Sequence, residues 1–111
     1  MISDKDIKEL ELKAAAIRET IIEMLEAAGS GHTAGPLGMA DIFAALYFNV
    51  LEHTPEHPER EDRDRLILSN GHIVPVRYAT MAHAGYFPMA ETLTLRKFGS
   101  RLQGHPERER L

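Results

Sequence analysis

At 111 residues with no cysteine, the chain has room for one domain with a thin core and excludes disulfides, thiolate metal sites and a cysteine nucleophile. Its net charge of -4, with arginines interleaved among acids in "EREDRDR", excludes the basic stripe of a general nucleic-acid binder. The charged start "MISDKDIKELELK" lacks a signal-peptide core, and no apolar run nears the ~20 residues that span a bilayer, so a soluble cytoplasmic protein is expected.

Ser3 followed by Asp6 resembles a capping box. Beyond it Ile7, Leu10, Ala14, Ile17, Ile21, Met24 or Leu25, and Ala28 recur at steps of three and four. That is helical period, and it predicts a first helix over about residues 4–28, stopped by Gly29. "GSGHTAG" then turns the chain, and Pro36 suits the first turn of a second helix because its missing N–H would be unpaired there anyway. Met39 to Leu51 is apolar on nearly every side, which predicts burial on several faces, part of it against something outside the chain.

"EHTPEHPERED" reads as a polar loop. The short apolar run "RLILS", ended by "NGH", predicts a buried strand at 65–69. A third helix is expected from Ile73 to Ala84, with Pro75 in its first turn and Gly85 at its end. A fourth is expected from Pro88 to about Phe98, closed by Gly99, before a loop-like tail. One strand among helices does not make a sheet. The chain reads as the mostly helical opening of an α/β domain, an incomplete module over 1–111.

Three of the six histidines directly follow glycine: His32, His72 and His105. Each sits in a loop at the edge of a predicted element. Glycine there lets the backbone bend so that an imidazole projects into a cleft. A neutral imidazole donates from one nitrogen, accepts at the other and titrates near neutral pH. Several such groups on one polyol or phosphorylated ligand can orient it and move its protons. Loop histidines are also common as plain surface residues. His53 and His57 read as solvated, and His83 as a packing or surface residue of the third helix. The chain has no HExxH pair, nucleophile elbow, GxGxxG or P-loop, and no metal ligands are assigned.

The succession "SGHTAGPLGMADIFAALYF", "DRDRLILSNGH", "YATMAHAGYF" and "GSRLQGHPE" resembles, in order and spacing, the N-terminal end of transketolases. The resemblance covers about residues 9 to 107 and is nearest to the short N-terminal subunits of two-chain transketolases. It implies a thiamine diphosphate-binding fold: a parallel sheet with helices on both faces, forming the pyrophosphate-binding module. It implies a two-carbon ketol transfer from a ketose phosphate to an aldose phosphate, with thiamine diphosphate and magnesium or calcium as cofactors. The site would lie against the pyrimidine-binding module of another subunit or chain, in a homo- or hetero-oligomer.

Carried over by motif, His32 would contact the sugar donor and assist proton transfer at its C3 hydroxyl. His105 would hold the donor's C1 hydroxyl. His72 would hydrogen-bond near the cofactor diphosphate. Thr33-Ala34 and Ile73-Val74 depart from the Pro-Gly and Gly-Ser of many long forms, and the bulk at 73–74 is expected to narrow the cleft beside His72. The family's metal-binding GDG motif is missing from the chain, as is a pyrimidine module, so the chain alone is expected to be inactive. The alternative is a non-catalytic remnant, acting as a helical oligomer or as a partner of a complete transketolase.

Overall fold

A reciprocal pair of hydrogen bonds starts the first helix. Ser3 Oγ accepts from the Asp6 amide at 3.1 Å, and the Asp6 carboxylate accepts from the Ser3 amide at 3.2 Å. The computed structural model describes residues 3–31, 33–69 and 71–103. Helix α1 runs Asp4–Ala28 and stops at Gly29, the bounds that its periodicity and caps predict. Helix α2 runs Ala34–Ala45 and widens into a π-turn over Leu46–Val50. A 3-10 turn at Gly71–Ile73 leads into helix α3, Val74–Ala84.

The core lies where the three helices meet. Ala14, Ile17, Ile21 and Met24 of α1, Ala40, Phe43 and Ala44 of α2, and Val74, Val76, Tyr78 and Ala79 of α3 are all buried. Each large apolar side chain removed from water here contributes about 1.5–3 kcal/mol. The α1 stripe is buried only in part. Ile7 is 42% exposed, so the first turns of α1 overhang the core. The helix enclosed on nearly all sides is α3, whose Val74–Val76 and Tyr78–Ala82 are buried. The apolar run of the second helix keeps one open flank, with Ile42 51% and Val50 57% exposed.

Polar groups tie the helices together at two points. Arg18 donates to the Leu37 carbonyl at 3.3 Å and pairs with Asp41, joining α1 to α2. His83 Nε2 bonds Thr20 Oγ1 at 2.8 Å, joining α3 to α1, so His83 is a packing residue. Burial, and then the charge of Lys13, push its pKa below the ordinary histidine value, while a hydrogen bond at the Ala16 backbone opposes them. The folded pKa therefore lies below the unfolded one. Stability is fully present above the unfolded value and is lost as pH falls toward the lowered folded one. Between about pH 7.5 and pH 5.5, a window that brackets the ordinary histidine pKa, the wild-type Tm should drop further than that of His83→Gln. Equal drops in both proteins would remove His83 as the source.

Two expected elements differ. Among the described residues there is no strand. Residues 65–68 keep a strand's alternation, with Leu66 and Leu68 packed on the core and Ile67 86% exposed. Their backbone groups bond to no other described residue, because no second strand lies beside them. The fourth helix is a 3-10 turn, Met89–Thr94. It ends early because Leu95 and Leu102 are both drawn fully into the core and the Arg96 amide bonds the Leu102 carbonyl at 2.7 Å. Arg96 takes a left-handed φ of 64° to make that turn, and Phe98 projects into solvent.

Candidate functional site

His72 is exposed on the 3-10 turn that enters α3. His32 and His105 lie outside the described residues, but the segments that flank them are placed. The turn before His32 ends at Gly31, with φ 131°. That backbone conformation is open to glycine and strained for other residues. Just after His32, α2 begins against the 3-10 turn. A Cβ on Gly35 would sit 2.6 Å from Ile73 Cγ2, closer than side-chain atoms approach. The missing side chain at Gly35 lets the first turn of α2 rest on the residue that follows His72.

The tail before His105 is anchored to the same helix. Tyr78, fully buried in α3, donates its hydroxyl to the Gln103 carbonyl at 2.8 Å. Leu102 beside it is fully buried. Ser100 Oγ accepts from the Leu102 amide at 3.0 Å and bonds Thr94 Oγ1 at 2.7 Å, which fixes the bend that brings the tail back. The flanks of all three Gly-His loops thus converge on the first two turns of α3.

Gly35→Ala tests that convergence. Alanine has the higher helix propensity, by about 1 kcal/mol. Here its Cβ must displace the stiff, β-branched Ile73. Overpacking of this kind costs about 1–3 kcal/mol, so urea unfolding should show net destabilisation. A stabilised variant would mean that the two turns do not touch.

The departure at Ile73-Val74 lies inside the fold. Both side chains are buried, Ile73 against the first turn of α2 and Val74 at the start of α3, while His72 is exposed on its turn.

His53 is also placed differently from its sequence reading. It is half-buried, with Nε2 2.6 Å from the Tyr47 carbonyl and Nδ1 hydrogen-bonded to the Tyr86 hydroxyl. Its ring lies 5.6 Å from that of Tyr86 and 5.2 Å from that of Tyr47. The loop holding it is closed at its base, where Asp64 and Glu52 exchange two 2.7 Å hydrogen bonds through their amides. No sequence signal separates this histidine from its neighbour His57. Its partners are 6 and 33 residues away.

These residues line an open groove of about 800 Å³, together with Arg63, Arg65, Arg77 and Arg101, the last of which is ion-paired with Glu91. Burial raises the Tyr47 and Tyr86 pKa values above the ordinary phenol value, with Arg77 opposing it at Tyr47. Both phenols stay protonated near neutral pH. His72 does not line this groove.

Thiamine diphosphate bound through a divalent metal needs oxygen ligands for that metal. Among the described residues, no group of three or more His, Cys, Asp or Glu side chains could hold a metal ion. The described surface does not by itself fit a metal-bridged diphosphate. No helix of the described residues is long and apolar enough to cross a membrane.

The chain matches the family described as transketolase, thiamine diphosphate binding domain, over residues 10–111. It is 40% identical over 100 residues to a transketolase of Pongo abelii, covering 90% of this chain and 16% of that protein. It is 36% identical to an apulose-4-phosphate transketolase subunit of Phocaeicola vulgatus, covering 90% of this chain and 36% of that protein. Among solved structures, transketolase from Leishmania mexicana superposes with a TM-score of 0.87 at 37% identity, covering 91% of this chain and 15% of that one. The chain therefore spans between about one seventh and just over one third of the length of these relatives.

Proposed function

The chain belongs to the transketolase thiamine diphosphate-binding domain family, and from that membership we propose that it forms the N-terminal part of a transketolase. In this reading it contributes to transfer of a two-carbon ketol unit from a ketose phosphate to an aldose phosphate. The remaining transketolase segment or subunit supplies the metal ligands and the pyrimidine side of the cofactor, in a homo- or hetero-oligomer. His32 and His105 contact the sugar donor, at its C3 and C1 hydroxyls. His72 lies toward the cofactor diphosphate.

One observation carries the reading: the flanks of the three Gly-His loops gather on the first turns of α3, through Gly35 against Ile73 and Tyr78 on Gln103. Where several imidazoles meet one polyol, they offer paired donors and acceptors to it and can hold or pass a proton at its hydroxyls.

The test is ketol transfer measured with the 111-residue chain alone and with a complementing transketolase segment. Activity is expected only in the complemented sample. Turnover by the chain alone would overturn the division of labour. A stable complex without turnover would favour the non-catalytic reading, in which the open flank at Ile42 and Val50 serves association only.

A further inference from the structure

The bend over residues 94–103 is shaped by short-range bonds. Thr94 Oγ1 donates to the Glu91 carbonyl at 2.7 Å, Arg101 pairs with the Glu91 carboxylate, and the Gln103 side-chain amide donates to the Ser100 carbonyl. These bonds join the bend to itself and to the 3-10 turn before it. They leave its place against α3 to other groups.

The tie to α3 is of another kind. Tyr78 is fully buried, and its hydroxyl reaches the Gln103 carbonyl 25 residues along the chain. Val74 and Ala82, one turn to either side on the same helix, are buried with it. A side chain packed in this way is locked in one rotamer, so the hydroxyl at its tip is a fixed post. A phenylalanine ring would fill the same space. The hydroxyl must be desolvated to sit there, and its bond to Gln103 offsets that cost. Core packing alone needs no oxygen at this position; what the oxygen adds is the tie.

The identity of the acceptor matters as well. The Gln103 carbonyl belongs to the planar peptide that joins Gln103 to Gly104. Holding that oxygen holds the plane in which the chain enters Gly104. Glycine has the widest choice of backbone conformations, so a preset plane on its N-terminal side removes freedom just ahead of His105. We infer that Tyr78 is a positioning residue for the sugar-donor site: its hydroxyl, held by the core, sets the Gln103–Gly104 peptide and through it the aim of His105. The inference rests on the function proposed above and adds which group steadies the donor contact. Tyr78 touches neither sugar nor cofactor; its effect reaches the donor through the backbone. A donor contact misplaced by about 1 Å is enough to slow catalysis.

The test uses the chain complemented with a transketolase segment. Tyr78→Phe should lower kcat/KM for the ketose phosphate about three- to tenfold, the range set by one lost hydrogen bond. The cofactor Kd should stay within about twofold of wild type, since no cofactor contact is removed. In a His105→Ala background Tyr78→Phe should cost nothing more, because the contact it positions is already gone. Tyr86→Phe, which removes a hydroxyl bonded to His53 rather than to the tail, is the control and should keep the wild-type kcat/KM.

A wild-type kcat/KM in Tyr78→Phe would overturn the positioning role and leave the proposed function standing. A further loss of the same size in the His105→Ala background would overturn it too, since Tyr78 would then act by another route. An equal loss in Tyr86→Phe would assign the effect to general loosening and overturn the role. Absence of turnover with the complemented wild-type chain would overturn the proposed function and this inference together.

Discussion

Tyr78→Ala is expected to abolish cooperative unfolding of the isolated chain, while Tyr78→Phe leaves it intact. Tyr78 is fully buried in the helix that every other element packs against, and it belongs to the one cluster that forms the core. Truncating a buried aromatic residue to alanine costs about 3–5 kcal/mol. Whole domains are stable by only about 5–15 kcal/mol, and a chain this short, with part of α1 and one flank of α2 open to water, belongs at the lower end. The alanine variant should lose near-ultraviolet circular dichroism and show no sigmoidal urea transition.

The phenylalanine variant keeps the ring and loses the hydroxyl's hydrogen bond to the Gln103 carbonyl at 2.8 Å. Such a bond contributes about 0.5–1.5 kcal/mol, so its urea midpoint should shift modestly. Its larger effect should be local. The segment leading to Gly104 and His105 loses its polar anchor on α3, and proteolysis between Leu102 and the chain end should speed up more than global unfolding explains. A cooperative alanine variant with the wild-type midpoint would mean that the core is organised elsewhere. Unchanged proteolysis in Tyr78→Phe would mean that the tail is held by Leu102 alone.

The elements legible in the sequence are those whose signals are local. The bounds of α1 follow from a capping box, an unbroken three-four period and Gly29, all within its own length. Helix α3 is flagged by Pro75 in its first turn and Gly85 after its last, and only the 3-10 entry at Gly71–Ile73 escapes the pattern. The misses are non-local. A strand exists only beside another strand, so the alternation in "RLILS" is present while the hydrogen bonds that would define it are not. The expected fourth helix fails at Leu95 because burial of Leu95 and Leu102 outweighs a few residues of helix propensity.

The candidate site divides in the same way. Gly-His repetition marks its histidines along the chain, but nothing local says that Gly35 meets Ile73, or that Tyr78 reaches Gln103 across 25 residues. Those contacts bring the flanks of three separate loops onto one helix and the turn that enters it. His53 shows the converse: a proline-rich, charged context reads as solvated, and packing of Tyr47 and Tyr86 against it decides otherwise.

In the assembled enzyme, His105→Ala is expected to lower kcat/KM for the ketose phosphate by about tenfold or more, the scale set by losing one hydrogen bond to a donor hydroxyl, about 1–3 kcal/mol. Cofactor affinity should change far less, because the proposed contact is with the donor's C1 hydroxyl. His72→Ala should show the reverse order. Its proposed place is toward the diphosphate, so the cofactor Kd should rise first and the donor KM should follow only at limiting cofactor. The contrast separates site roles from a general loss of structure. His72 is exposed on its turn, and its removal leaves Ile73 and Val74 seated in the core, so the variant should keep a cooperative unfolding transition. Transition-state contributions appear in kcat/KM, whereas a purely anchoring group appears in binding. Equal loss of cofactor affinity in both variants would reject the assignment of His105 to the sugar and leave both of these Gly-His loops as cofactor supports.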